Sequence, residues 1–255
     1  MRGNVFDFPK LAVSCGECQW SRSCLAQGFP QGFAVTGANE EGPGLRCAAP
    51  LKRNAHVFQQ GEALEFLYIL RSGSAKSYLD NADGLEQIVA FHYPGDLLGF
   101  DAVANGHHQT AAVALETASL CRIPFSAIES VAARTPKLWA EVMRSAARQM
   151  MEKNNHALLL GQKSAQARFA SLLLYLSNRF AARGCSRSEF NLSMPRQDIA
   201  NYLSLAVETV SRLFGDLQSQ GIITVDRRYV RILSLDKLRA IAGESATVAA
   251  RIGAQ

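Results

Sequence analysis

Glycine spacing places the strongest constraint on this chain. Between residues 50 and 125, short β-type runs (HVFQQG, EFLYILRSG, SAKSYLDNADG, LEQIVAFHYPG and AAVALETASLCRIPF) are punctuated by Gly61, Gly73, Gly84, Gly95 and Gly99. Short strands between regularly spaced glycine turns predict a compact antiparallel barrel or roll.

A different period takes over at PKLWAEVMRSAARQMMEKNNHALLL, residues 136–160. Pro136 suits the first turn of a helix, where its missing N–H costs nothing. In alternating steps of four and three, Trp139, Met143, Ala146, Met150, Lys153, Ala157 and Leu160 form one stripe. Such a stripe either packs on the chain's own roll or forms a coiled-coil-like seam with a second copy. In the second case Lys153 sets like charges near a two-fold axis and leaves the pairing marginal.

Another amphipathic helix is expected over residues 164–183, followed by a loop and short strand at RGCSRSEFNLS. The next stretch, MPRQDIANYLSLAVETVSRLFGDLQSQGIITVDRRYVRIL, reads as helix, turn, helix and hairpin. Ile199, Ala200 and Leu203 face inward on the first helix, and the turn falls at Ser204-Leu205-Ala206. Val210, Leu213, Phe214 and Leu217 form the apolar side of the second helix, which Gly221 ends. IITV and YVRI flank a turn at 226–228 and make a two-stranded wing.

The opposite face of the second helix carries Glu208, Ser211, Arg212 and Gly215. A carboxylate can accept from the cytosine amino group, and an arginine fork can donate to guanine O6 and N7. Ser211 can meet a base or a phosphate. Arg196, Arg227, Arg228 and Arg231 flank the helix as candidate phosphate contacts. Charge agrees with this placement. Residues 161–255 hold 13 Lys+Arg against 7 Asp+Glu, whereas residues 1–160 hold 14 against 15. The net charge of +5 therefore belongs to the C-terminal third, where a polyanionic partner is expected.

No secretory h-region opens the chain, and no run has the ~18 apolar residues of a membrane helix. A cytoplasmic protein without a membrane partner is expected. In a reducing compartment its six cysteines bind metal or stay free rather than form disulfides. Three of them lie in CGECQWSRSC, as Cys15, Cys18 and Cys24 with C-x2-C-x5-C spacing. All-thiolate sites usually take four ligands, and either an iron–sulfur cluster or zinc accepts that number. Cys185 reads as a free thiol in a loop. Of two readings of His107-His108, a metal pair and solvated loop surface, adjacency in a loop favours the second. No second cluster motif, nucleotide-binding glycine loop or nucleophile motif is present, so an enzyme is not expected.

In this order, a roll, a long helix and a winged helix-turn-helix resemble the CRP/FNR superfamily of bacterial transcription regulators. The stretches FLYILRSGSAKSY, EQIVAFHYPGDLLGFDA, ALETASLCRIPF and RFAARGCSRSEFNLSMPRQDIANYLSLAVETVSRL, together with the C-x2-C-x5-C arm, are similar to its oxygen-responsive FNR/ANR branch. The fold class this implies is α+β. A Cys-rich arm covers 1–48, a cupin-like, cyclic-nucleotide-binding-type β-roll 49–135, a dimerisation helix 136–162 and a winged helix-turn-helix domain 163–255. The resemblance further implies an oxygen-labile [4Fe–4S] cluster on Cys15, Cys18, Cys24 and the remote Cys121; from its place after the Gly-rich arm, Cys47 is the rival fourth ligand. It implies a homodimer on double-stranded DNA with TTGAT-type palindromic half-sites, controlling genes of the aerobic–anaerobic transition. RNA polymerase is an implied partner through roll loops such as Asn81-Ala82-Asp83-Gly84. Cyclic AMP is not expected. Where the superfamily's other, cyclic-AMP-sensing branch has Arg followed by Ser or Thr, this chain has Gln109-Thr110, with no cation for the phosphate.

Overall fold

The computed structural model describes Cys18 and residues 35–36, 45–47, 50–80 and 84–244, with 35–36 and 45–47 described as backbone strands. Contacts divide the chain into two units. One holds residues 1–86 and 90–149, the other residues 87–89 and 150–255.

The first unit is the roll. Strands β1 (Val35–Thr36), β2 (Leu45–Cys47), β3 (His56–Phe58), β4 (Phe66–Ser72), β5 (Ala75–Asp80), β6 (Glu86–His92), β7 (Leu97–Leu98), β8 (Ala111–Ala114) and β9 (Ser119–Pro124) form two sheets. Their orders are β1-β2-β9-β4-β7 and β3-β8-β5-β6. β1–β2 runs parallel, whereas β2–β9, β3–β8, β4–β7, β4–β9 and β5–β8 run antiparallel, so the antiparallel expectation holds. The run AAVALETASLCRIPF, read as one piece, is two strands with a turn between them. Gly73 shows why glycine punctuates the roll. Its φ is +78°, and a Cβ there would lie 2.5 Å from the Thr117 carbonyl oxygen.

Alternation along β4 and β9 gives the roll two apolar layers. Leu70 and Leu120 join Phe58, Ala75, Leu98, Ala112, Ala114 and Ala118 in one cluster. Leu67, Ile69 and Ile123 turn the other way and pack with Leu97, Ile128, Leu138 and Val142. Ile128 belongs to α1 (Phe125–Ala132), while Leu138 and Val142 belong to α2 (Pro136–Gln162). The start of the long helix is therefore seated on the roll. Further along, the Gln149 side-chain amide donates to the Leu97 carbonyl at 3.1 Å.

The second unit contains the rest of α2, then α3 (Ala165–Ala181), β10 (Glu189–Asn191), α4 (Arg196–Leu203), α5 (Val207–Ser219), β11 (Ile223–Asp226), β12 (Tyr229–Ile232) and α6 (Leu235–Ala242). Ser164 caps α3 by accepting from the Ala167 N–H. Phe169, Leu172, Leu173 and Leu176 are buried along α3, and Phe169 meets Phe214 of α5 edge to face at 4.5 Å. The order β10-β12-β11 makes the wing a three-stranded sheet, one strand more than the hairpin expected. No described helix is long and apolar enough to cross a membrane.

Candidate nucleic-acid interface and sensor site

Helix α4 ends at Leu203, and Ser204 takes a left-handed conformation (φ 52°) that turns the chain into α5. Val210, Leu213, Phe214 and Leu217 are buried, so the helical period leaves Glu208, Ser211, Arg212 and Gly215 on the exposed side. The Ser211 hydroxyl donates to the Val207 carbonyl at 3.0 Å and keeps its lone pairs as acceptors. Arg227 adopts φ 54° at the tip of the β11–β12 turn, where it and Arg228 are exposed.

Three of the flanking arginines have partners within the domain, although Arg228, which donates to the Ser193 carbonyl at 3.4 Å, and Arg231 stay open to solvent. The Arg231 Nε lies 2.8 Å from Glu189 Oε1 across the β10–β12 pair. The Arg196 guanidinium lies over the Phe214 ring, 3.0 Å from its centroid, and burial pushes its pKa down to about 10. Arg196 thus braces the inner side of the exposed helix.

Sequence reasoning missed the residues that join α2 to the helix-turn-helix. His156 stacks flat on Tyr202 of α4, with ring centroids 4.0 Å apart, and its Nε2 lies 2.9 Å from the Tyr202 carbonyl oxygen. Arg168 donates to the carbonyls of Leu160 and Lys163 at the end of α2 and to that of Leu203 at the end of α4, at 2.6, 2.9 and 3.1 Å. One cation therefore serves the negative ends of two helices. Lys163 Nζ donates to Ser171 Oγ and to the Ala242 carbonyl, each at 2.8 Å, and Arg179 pairs with Glu152 at 2.5 Å. His156 lies off the stripe that runs from Trp139 to Leu160, so the helical period carried no signal for it.

On the long helix, Leu138 and Val142 are buried while Trp139, Met143 and Met150 are exposed. Lys153 and Ala157 are exposed, and Ala146 and Leu160 are half-buried. Met151 (64% exposed) and Leu158 (56% exposed) widen the apolar face beyond the expected seam.

Cys121 sits in the middle of β9. Alternation places it on the same face as Ile123, and it packs against the cluster that seats Leu138 and Val142. β2 runs antiparallel to β9 with Arg46 opposite Arg122 and Cys47 opposite Cys121. Cys18 is half-buried, while Cys15 and Cys24 lie outside the described residues. Among the described residues, no three His, Cys, Asp or Glu side chains group as a metal site. Cys185 is exposed in the loop between α3 and β10. Asn81–Asp83, most of the loop assigned to RNA polymerase, lies outside the described residues.

The reading of His107-His108 as solvated surface is corrected for one of the pair. His107 is exposed, but His108 is only 3% exposed and stacks on Phe58 with centroids 3.8 Å apart. The Leu64–Gly106, His108–Glu62 and Gly61–His108 backbone hydrogen bonds fold the loop inward and carry the second imidazole with it.

A regulatory roll joined by a long helix to a winged helix-turn-helix defines a sequence-specific transcription regulator rather than an enzyme. Residues 49–135 match the cyclic nucleotide-binding domain family, and residues 167–241 match the Crp-like helix-turn-helix domain. The chain is 39% identical over 238 residues to the fumarate and nitrate reduction regulatory protein of Salmonella typhi, covering 93% of this chain and 94% of the relative. It is 38% identical to the protein of that name from Escherichia coli K12 over the same shares. Among solved structures, FixK2 from Bradyrhizobium japonicum superposes with a TM-score of 0.73 at 28% identity, covering 79% of this chain and 99% of that one. The chain belongs to the CRP/FNR family of transcription regulators.

Proposed function

We propose that this chain is an oxygen-responsive transcription regulator that acts in the cytoplasm as a DNA-binding homodimer and controls genes of the aerobic–anaerobic transition. Cys15, Cys18, Cys24 and Cys121 hold a [4Fe–4S] cluster, for which four thiolates are the usual donor set. When bound, the cluster supplies an oxygen-labile tie between the N-terminal arm and β9.

The position of Cys121 carries this reading. Its strand packs on the apolar cluster that also holds Leu138 and Val142 of the long helix. A change at Cys121 therefore acts on the seat of α2, and Met143, Ala146, Met150, Lys153, Ala157 and Leu160 present the seam to a second copy. Repulsion between paired Lys153 side chains keeps that seam marginal, so a modest difference in energy switches it. In the dimer the two α5 helices enter successive major grooves of a TTGAT-type palindrome. Glu208, Ser211 and Arg212 read bases, while Arg227 and Arg228 contact phosphates. Arg196 reaches a phosphate only by leaving Phe214. The roll loop at residues 81–84 is the candidate contact with RNA polymerase.

The test compares anaerobically purified and air-exposed full-length protein for iron, sulfide and zinc content, and for binding to a TTGAT-palindrome duplex. Iron and sulfide with tight binding under anaerobic conditions only are expected. Equal binding in both states without iron sinks the oxygen-sensor reading and leaves a regulator of the same fold. Zinc in place of iron supports a structural arm. The register of Cys47 opposite Cys121 favours one rival, Cys47 as fourth ligand. Cys121→Ser and Cys47→Ser variants, assayed for anaerobic iron, separate the two.

A further inference from the structure

One carboxylate oxygen in the roll gathers three donors. Asp101 sits in the 3-10 turn Phe100–Ala102, behind Gly99 (φ 88°). Its Oδ2 accepts from the Gln109 N–H at 2.9 Å, the Thr110 N–H at 2.8 Å and the Thr110 hydroxyl at 2.8 Å. Its Oδ1 lies 3.6 Å from Nδ1 of the buried His108, too far for a hydrogen bond. The side chain is 12% exposed. Burial pushes the carboxyl up, but the donors from Thr110 and the neighbouring imidazole outweigh it, and the group titrates below the usual carboxylate range.

Two backbone N–H groups and a hydroxyl converging on one point form an anion cradle of the kind that holds phosphate. This cradle lies inside the segment that matches the cyclic nucleotide-binding domain, at the Gln109-Thr110 pair that the resemblance sets against the Arg followed by Ser or Thr of the cyclic-AMP-sensing branch. We propose that Asp101 is a built-in anion: its carboxylate occupies the donors at which a cyclic nucleotide's phosphodiester would be held.

Two consequences follow for a free phosphodiester. It would have to displace a partly buried carboxylate that already has three hydrogen bonds, and it would meet that carboxylate's charge. The same contacts fasten the 99–110 loop in one conformation without any ligand, so the roll can respond to its N-terminal arm alone. Gly99 makes the loop tight, because a Cβ there would come within 3.0 Å of the His108 ring. The inference rests on the roll being of the cyclic nucleotide-binding type and is independent of iron and of DNA.

The test uses the full-length, air-exposed chain, so that failure of the oxygen-sensor reading does not affect it. Thermal unfolding of wild type and Asp101→Ala is followed in sodium formate, inorganic phosphate, cyclic AMP or chloride at equal ionic strength. Wild type is expected to respond to none of these beyond chloride. Asp101→Ala is expected to unfold at lower temperature, to be restored by formate or phosphate, and to bind the anion about tenfold or more tightly than wild type does. An anion response no larger than that of wild type overturns the proposal, and so does cyclic AMP binding by wild type with Asp101 intact. If Asp101→Ala does not fold, a double-mutant cycle of Asp101→Asn with Thr110→Val decides. Destabilisation that is less than additive upholds the shared cradle, and strict additivity overturns it.

Discussion

Cys47 stands directly opposite Cys121 in the antiparallel pairing of β2 with β9. Two cysteines therefore share one level of the sheet, yet Cys121 is the one in a strand that packs on the seat of the long helix. Cys121→Ser is expected to reduce anaerobic iron and sulfide to background and to abolish anaerobic DNA binding. Cys47→Ser is expected to keep both near wild-type levels. Metal analysis and visible spectra of the two variants, purified in parallel, check this. Loss of iron in Cys47→Ser with retention in Cys121→Ser reverses the assignment.

Lys153 is exposed on the α2 stripe between Met150 and Ala157. Replacing it with Leu removes the repulsion across the two-fold axis and adds apolar area to the seam. Lys153→Leu is expected to tighten dimerisation by about tenfold, the equivalent of 1.4 kcal/mol, and to retain DNA binding in air. Sedimentation in air measures the first effect and electrophoretic mobility the second. An unchanged dimer constant counts against this seam.

Arg212 and Arg227 occupy different parts of the DNA-binding domain, on the exposed side of α5 and at the tip of the wing. Arg212→Ala is expected to cost ~1–3 kcal/mol and to relax specificity at one base pair of the half-site. Arg227→Ala should weaken binding about equally on all sequences and lower the salt slope by ~1. Fluorescence anisotropy on single-substitution duplexes over a salt series separates the two. Arg196→Ala, by contrast, should lower thermal stability, because its guanidinium covers Phe214.

His156 titrates below its ordinary value because burial disfavours the imidazolium, an effect only partly offset by the hydrogen bond at the Tyr202 carbonyl. The unfolded chain therefore takes up the proton first, near pH ~6.5. Stability is full above that value, falls as pH drops towards the lower folded pKa, and levels off beneath it. His156→Phe keeps the stack on Tyr202 and removes the proton, so it should flatten this part of the profile. Urea midpoints between pH ~7.5 and ~5 measure the difference. Equal slopes for both proteins would show that His156 does not set the acid limit.

Local order was legible from the chain itself. Glycine spacing marks strand ends because positive φ suits glycine, and Gly73 and Gly95 take φ of +78° and +93°. Steps of three and four mark helix faces, and Val210, Leu213, Phe214 and Leu217 are buried as that period requires. The exposed Glu208–Ser211–Arg212 face follows from the same geometry, since one buried side of a helix leaves the other to solvent.

Contacts between distant segments were decided only by the tertiary structure. His107 and His108 look alike as neighbours in a loop, but the fold turns one to solvent and stacks the other on Phe58. Asp101 reaches Gln109 and Thr110 across a loop whose closure no periodicity encodes. Arg168 finds the ends of two helices, and Cys47 finds Cys121, because docking and strand register are set by burial of whole faces. Turn and helix signals arise from the sterics of a few adjacent residues, whereas register, cradle and brace depend on which apolar surfaces the whole chain buries together.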